Sequence, residues 1–262
     1  RTVLIDGCQP DFYFESSGTT QMERSKHFVP DLTLYEKSFR NSFHLFYGDV
    51  KQYCIAALLP SYLERKNASL VYMCNDLITS SQQTGSGIFL DDFAQLAELI
   101  RYNETNGIRT LLIGVSFALM DFADSFSMPL HHTTIMETGG MKGKRPELTR
   151  EALHAYLNKS FQTSTIHSEY GMTELLSQAY SNGNGIFQTP PWMKILIRDT
   201  EDPFTILGYN KTGCINVIDL ANIYSCSFIA TQDLGKLHEN GSFEVLGRFD
   251  KSDVRGCNLM VE

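Results

Sequence analysis

The chain contains no apolar run of the ~18 to 20 residues that a membrane-crossing helix needs. Its first residues, RTVLIDGCQP, also lack the basic-then-apolar order of a secretory signal. These two absences make a cytoplasmic protein the default expectation. Positive charge is not in excess either: 22 Lys and Arg stand against 30 Asp and Glu, for a formal net charge of −8. General nucleic-acid binding relies on surplus Lys and Arg to neutralise phosphates, so the balance argues against that class. The six cysteines, Cys8, Cys54, Cys74, Cys214, Cys226 and Cys257, include no CxxC pair and are too sparse for a dense disulfide scaffold in 262 residues. They read as free thiols. There is no internal repeat and no low-complexity tract. His131-His132 follows a proline and reads as a loop feature rather than a metal pair, and the N-x-[ST] sequons at Asn67, Asn103, Asn158, Asn210 and Asn240 would matter only in a secreted chain.

What is present is the composition of a globular protein, 42% hydrophobic and 20% charged, in a chain long enough to bury a sizeable core. The segment ESSGTTQMERSK, from Glu15 to Lys26, is the most informative stretch. Ser16, Ser17, Thr19 and Thr20 offer hydroxyl donors, Gly18 lets backbone N–H groups approach an anion, and Arg24 and Lys26 follow with positive charge. This is neither the GxxxxGK[ST] phosphate loop nor a GxGxxG dinucleotide loop. A Ser/Thr/Gly run is also the ordinary make-up of a solvated turn, so alone it decides nothing.

The first two-thirds of the chain alternate short apolar runs with helical patterns. SLVYMCND (Ser69 to Asp76) and RTLLIGVS (Arg109 to Ser116) are compact and apolar and are expected as buried strands. Between them Phe93, Leu96, Ala97 and Ile100 recur at helical spacing, with Asp91 or Asp92 at the start and Gly107 as a stop. HTTIMETGG predicts a strand entering a glycine loop, after which Thr149 caps a helix with a Leu153, Tyr156, Leu157 stripe. Past Pro190 and Pro191 the pattern changes to short β-like segments, WMKILIRD, PFTILG, GCINVIDL, CSFIATQDLG and SFEVLGR, separated by turn residues. The expected fold is α/β, with helix-flanked sheets and a β-rich C-terminal part. Its expected divisions are an α/β core over 1–189, a β-rich subdomain over 190–246 and a hinge and tail over 247–262.

Four further segments lie downstream of the hydroxyl-rich loop: METGGMKGKRPELTREAL, SEYGMTEL, ATQDLGKLHENGSFEVLGRFD and SDVRGCN. Taken in order with SSGTT, they resemble the phosphate loop, adenine-site loop, YGxTE motif, T-x-D-L ribose motif and GRxxD hinge of the acyl-adenylate-forming enzymes. ETGGMKGK and the ending GRFDKSDVRGCN are most similar to the LuxE-type acyl-protein synthetase family of bacterial luciferase operons. The resemblance covers nearly the whole chain and implies the large-domain fold of adenylate-forming enzymes, with ATP and Mg²⁺ as cofactors. Family members carry additional sequence ahead of this loop, so an N-terminal portion, and with it part of the acyl pocket, is expected to be missing.

The resemblance also implies roles for individual residues. Ser16, Ser17, Gly18, Thr19, Thr20 and Lys26 or Arg24 would contact the ATP phosphates, although Gln21 stands where the family usually has glycine. Gly139 and Gly140 would pass close to the adenine, Tyr170 would pack on it, Thr173 would meet the α-phosphate and Glu174 would hold Mg²⁺. Asp233 would bind the ribose hydroxyls, Arg248 the ribose or phosphate, and Asp250 would mark the hinge. Lys142, Lys144 and Arg145 crowd the glycine loop as substrate contacts or as a solvated basic turn. Two plainer readings stay open: a helix start with a buried tyrosine for YGMTE, and an Asp-Leu-Gly hairpin turn for Asp233. In LuxE-type enzymes the acyl group moves from the adenylate to a cysteine near the C-terminus. Cys257 is that candidate nucleophile, with Arg255 and a mobile terminal segment to activate and deliver its thiolate; a small buried cysteine is the other reading. The remaining cysteines read as packing residues.

The implied activity is ATP-dependent activation of a carboxylic acid, of fatty type, as acyl-AMP, followed by transfer to a cysteine thiol as a thioester. The implied partners are the acid itself and an acyl-protein reductase or acyl carrier. One alternative is a ligase that delivers the acyl group to coenzyme A or a carrier-protein pantetheine. Another is a noncatalytic acyl- or nucleotide-binding module, in keeping with Gln21 and with an ending that lacks the small lysine-bearing domain.

Overall fold

The computed structural model describes residues 4, 10, 12–16, 25–60, 67–139, 145–146 and 148–249. A six-stranded sheet in the order β4-β3-β5-β6-β7-β8 forms the first layer. Its strands are β3 Cys54–Leu58, β4 Gly87–Phe89, β5 Thr110–Gly114, β6 Thr133–Thr138, β7 His167–Tyr170 and β8 Ala179–Ser181. All neighbours are parallel except β7 and β8. Every residue of β3 and β5 is buried, as central parallel strands covered on both faces require.

The helices of this layer are α1 Leu32–Tyr47, α2 Ser69–Ser81, α3 Phe93–Asn106, α4 Ser116–Ser125 and α5 Arg150–Phe161. The caps of α3 and α5 are the expected ones. Asp92 accepts from the Gln95 N–H, Gly107 closes α3 in the left-handed region, and Thr149 accepts from the Ala152 N–H. The expected strand at Ser69 to Asp76 is instead the start of α2. Its buried residues are Met73, Cys74, Leu77 and Ser81, a helical spacing, and an eight-residue apolar run does not by itself distinguish the two periods. The neighbouring buried strand is β3, CIAAL.

A second, antiparallel sheet has the order β10-β11-β12-β13-β9. Its strands are β9 Ile186–Phe187, β10 Met193–Arg198, β11 Thr212–Asp219, β12 Phe228–Leu237 and β13 Phe243–Arg248. PFTILG, expected as a strand, is a turn: the Asp202 carboxylate accepts from Phe204 N and Thr205 Oγ1, and an isolated Arg198–Ile206 bridge links it to the sheet. A short hairpin, β1 Tyr13–Glu15 with β2 Lys26–Phe28, stands apart from both sheets.

Two apolar cores result. The larger surrounds the parallel sheet and includes Phe14, Tyr35, Phe39, Leu58, Leu112, Phe122 and Leu176. The smaller lines the second sheet and includes Tyr170, Leu175, Phe187, Ile195, Ile215 and Phe243. The segment Tyr170–Leu176 therefore contributes to both cores and lies at the seam between the sheets. Among the described residues, no helix is long and apolar enough to cross a membrane.

Candidate active site

The hydroxyl-rich segment connects β1 to β2. Glu15 stands opposite Lys26, Ser16 N donates to the Ser25 carbonyl at 3.0 Å, and Ser25 N donates to Ser16 Oγ at 3.0 Å. Ser16 thus closes the neck of the loop. Ser17, Gly18, Thr19, Thr20, Gln21 and Arg24 lie outside the described residues. Lys26 is engaged on its own hairpin, with its ammonium 3.9 Å from Glu15 and 4.3 Å from the centre of the Tyr13 ring.

YGMTE begins at the last residue of β7, so it is a strand end and turn rather than a helix start. A Cβ at Gly171 would come within 2.3 Å of Glu169 Oε1, which explains the glycine: the Glu169 side chain folds back over the turn. The Tyr170 ring meets Phe187 and Phe243 edge-on, with centroids 6.0 and 5.7 Å away. Its hydroxyl donates to Asp233 Oδ2 at 2.8 Å. Burial and the neighbouring Asp233 push the phenol's pKa up, so this group stays a donor. Beyond the turn, Thr173 Oγ1 donates to the Glu15 carbonyl at 3.4 Å, and Glu174 Oε1 accepts from Ser25 Oγ at 3.2 Å. The turn therefore touches the neck of the hydroxyl-rich loop with two successive side chains.

Asp233 lies within β12 and not in a hairpin turn. It stands opposite Arg248 of β13, with the register shifting between Leu234 and Gly235. Thr231 prepares this position: its hydroxyl donates to the Ile215 carbonyl at 2.9 Å and accepts from Asp233 N at 3.1 Å. The Ile215 carbonyl sits at an irregularity in the β11–β12 pairing, and Arg198 Nη1 also donates to it at 3.0 Å. The irregular backbone is thereby satisfied by side chains, as a buried carbonyl requires.

Gly139 follows β6 in the left-handed region, φ +52°, with no described atom within 4 Å of where a side chain would stand. Thr138 pairs with Glu169, so Gly139, just past β6, lies beside Tyr170, the last residue of β7. Two buried carboxyls underlie them. Thr138 Oγ1 donates to Glu169 Oε2 at 2.5 Å; burial, with repulsion from Glu137, pushes the Glu169 pKa up to about 7 despite that bond. Burial also opposes the Glu137 anion, but the His154 contact and the Arg150 charge outweigh it and hold Glu137 below its ordinary value. Arg150 lies 3.3 Å from Glu137, donates to the Val245 carbonyl at 2.6 Å and stacks over Phe187. It ties α5 to the second sheet directly below the seam.

The structure thus brings Ser16, Thr173 and Glu174 into one group through Glu15 and Ser25, and Tyr170, Asp233 and Arg248 into another, with Gly139 beside Tyr170. Gly140, Lys142, Lys144, Asp250, Arg255 and Cys257 lie outside the described residues. Arg145 is no free basic turn: it bonds Asp121 and Asp124 of α4. Cys54, Cys74 and Cys214 are buried as expected, whereas Cys226 is half-exposed. Sequence reasoning missed Ser25, Glu169 and Thr231. All three lie inside quoted segments, Ser25 in ESSGTTQMERSK, Glu169 in SEYGMTEL and Thr231 in ATQDLG, and that placement was their only signal. Among the described residues no three His, Cys, Asp or Glu side chains converge to cage a metal. Glu174 reaches Ser25 at the loop neck, and a carboxylate there suits a hard cation sharing most of its ligands with phosphate and water.

No family profile and no curated protein matches the chain. Solved structures do. ATP-bound MatB from Rhodopseudomonas palustris is 18% identical with a TM-score of 0.67, over 90% of this chain and 47% of that one. The o-succinylbenzoate coenzyme A synthetase of Bacillus subtilis in complex with AMP is 16% identical with a TM-score of 0.60, over 94% and 50%. The amide bond synthetase McbA of Marinactinospora thermotolerans is 15% identical with a TM-score of 0.60, over 91% and 49%. The chain spans about half the length of these proteins and shares the fold of the acyl-adenylate-forming superfamily.

Proposed function

We propose that this chain carries the nucleotide site of an acyl-adenylate-forming enzyme. ATP would be bound along the seam, with its phosphates between the 16–25 loop and Thr173, its ribose at Asp233 and Arg248, and its base by Gly139, Gly140 and Tyr170. The observation that carries this reading is the contact of Glu174 with Ser25 across 149 positions of sequence. It joins a hydroxyl-rich loop to a Thr-Glu pair, the donors and carboxylate that phosphoryl chemistry needs. The solved neighbours that hold ATP and AMP support the same reading. Mg²⁺ held by Glu174 and phosphate oxygens would supply charge neutralisation. The residues of the chain would do the rest: hydroxyls and backbone N–H groups orient the triphosphate so that a carboxylate oxygen attacks the α-phosphorus and pyrophosphate leaves.

The finer reading is an acyl-protein synthetase of LuxE type, acting on a fatty acid. The Cys257 thiolate would attack the acyl carbon of the adenylate, AMP would leave, and a reductase or carrier would accept the thioester. The test is incubation of the full-length protein with ATP, Mg²⁺ and a radiolabelled fatty acid. Label that is released by neutral hydroxylamine and absent from Cys257→Ser, with acid-dependent ATP–pyrophosphate exchange retained in that variant, supports it. Full turnover of Cys257→Ser to an external thiol contradicts it and favours the second reading, transfer to coenzyme A. That second reading is favoured by the coenzyme A synthetase among the structural neighbours.

A further inference from the structure

A segment outside every quoted motif grips both halves of the proposed phosphate site. Asp219, the last residue of β11, caps the 3-10 turn Leu220–Asn222. Its buried carboxylate accepts from Leu176 N at 2.8 Å, Ser177 N at 3.0 Å, Ser177 Oγ at 2.5 Å and Ala221 N at 3.1 Å. Three of those donors belong to Leu176 and Ser177, two and three residues past YGMTE. Asn222, 0% exposed, completes the grip. Its Nδ2 donates to the Glu174 carbonyl at 2.7 Å, and its Oδ1 lies 2.9 Å from His27 Nε2 on β2. An amide oxygen only accepts, so with this amide orientation the His27 ring carries its hydrogen on Nε2. The turn is itself anchored, because Ser177 Oγ meets Ser38 Oγ of α1 at 3.1 Å, and Ser38 Oγ accepts from Trp192 Nε1 at 2.9 Å.

His27 belongs to the strand that leaves the hydroxyl-rich loop, and Glu174 to the turn that faces it. We propose that Asn222 and His27 form a positioning pair that fixes the loop hairpin relative to Glu174, and thereby sets the affinity for the nucleotide's triphosphate. The pair acts through β2 and through the Glu174 backbone. This inference rests on the nucleotide-site reading above. A buried amide left without its partner forfeits the bond and exposes an unsatisfied oxygen, a loss of about tenfold in the equilibrium it supports.

Three variants of the full-length protein test the pair. His27→Leu removes the donor, while His27→Gln keeps an N–H that reaches the Asn222 oxygen. In ATP–pyrophosphate exchange, His27→Leu is expected to raise the KM for MgATP about tenfold, with kcat and the KM for the acid changed less than about twofold, and His27→Gln to restore most of the loss. Amide hydrogen exchange of residues 172–177 should accelerate about tenfold in His27→Leu and not in His27→Gln. Should His27→Leu fail to fold, Asn222→Ser is expected to give the same pattern. Unchanged KM and unchanged amide exchange overturn the inference, as does a loss that falls on kcat alone. If the native protein performs no pyrophosphate exchange with any acid, the adenylating reading fails. The amide exchange of 172–177 then still decides whether the pair holds the hairpin to Glu174.

Discussion

Glu169 is a buried carboxyl whose chemistry departs from its solution behaviour. It is buried beside Glu137, bonded by Thr138 and folded over Gly171, and its pKa of about 7 lies above that of a free glutamate. A carboxyl with a raised folded pKa stabilises the native state fully below its unfolded pKa, and that contribution is lost as pH rises through the folded value. The native chain should therefore lose stability between about pH 4 and about pH 7 through this group. Glu169→Gln keeps an uncharged acceptor for Thr138 and removes the cost. Its stability relative to the native chain should rise across that window by up to roughly 3 kcal/mol, read from urea unfolding at a series of pH values. Parallel pH curves for the two proteins would show that Glu169 titrates like an ordinary carboxylate.

At the level of elements, the sequence was legible where local chemistry decides. Asp92 with Gly107, and Thr149, marked helices α3 and α5 because caps are local signals. Alternation marked β10, whose buried residues are every second one. Helix α1 was missed because its inner face mixes Tyr35, Phe39 and Phe43 with Ser38 and Ser42, so two of its five buried residues are polar. SLVYMCND was misread because a short apolar run fits either period. The motif residues of the site could be named from sequence, but their pairing could not. Tyr170 meets Asp233 and Asn222 meets His27 across 63 and 195 positions, and ordinary residues such as Asn222 carry no motif at all. Asp233 sits in a closely packed strand. A Cβ at Gly235, two residues on, would stand 2.5 Å from the Glu244 carbonyl oxygen and 2.6 Å from Ile215 Cδ1. Backbone cannot give way as a side-chain tip can, so Gly235→Ala should destabilise the chain by about 1 to 3 kcal/mol, measured by thermal or urea unfolding. An unchanged midpoint would mean that β13 is not packed so closely on β12.

For the whole molecule, the decisive feature is the seam. A parallel, helix-flanked sheet and an antiparallel sheet keep separate cores, and one short segment serves both, with Tyr170 and Leu175 in the second sheet's core and Leu176 in the first. The YGMTE turn is therefore held from two sides, by Asp219 and Asn222 of the second sheet's layer and by Ser25 and Glu15 of the hairpin. The molecule carries a net charge of −8, Lys26 pairs with Glu15 and Arg145 with Asp121 and Asp124. A triphosphate at the seam would thus depend on hydroxyl and backbone N–H donors more than on those two cations. The most direct test is carboxylate-dependent ATP–pyrophosphate exchange by the full-length protein with Mg²⁺ across fatty and aryl acids, repeated with Asp233→Ala. The account predicts exchange with at least one class of acid, reduced about tenfold or more in the variant through a higher KM for ATP. No exchange with any acid while ATP still binds would contradict it and leave a nucleotide-binding module on an adenylating fold.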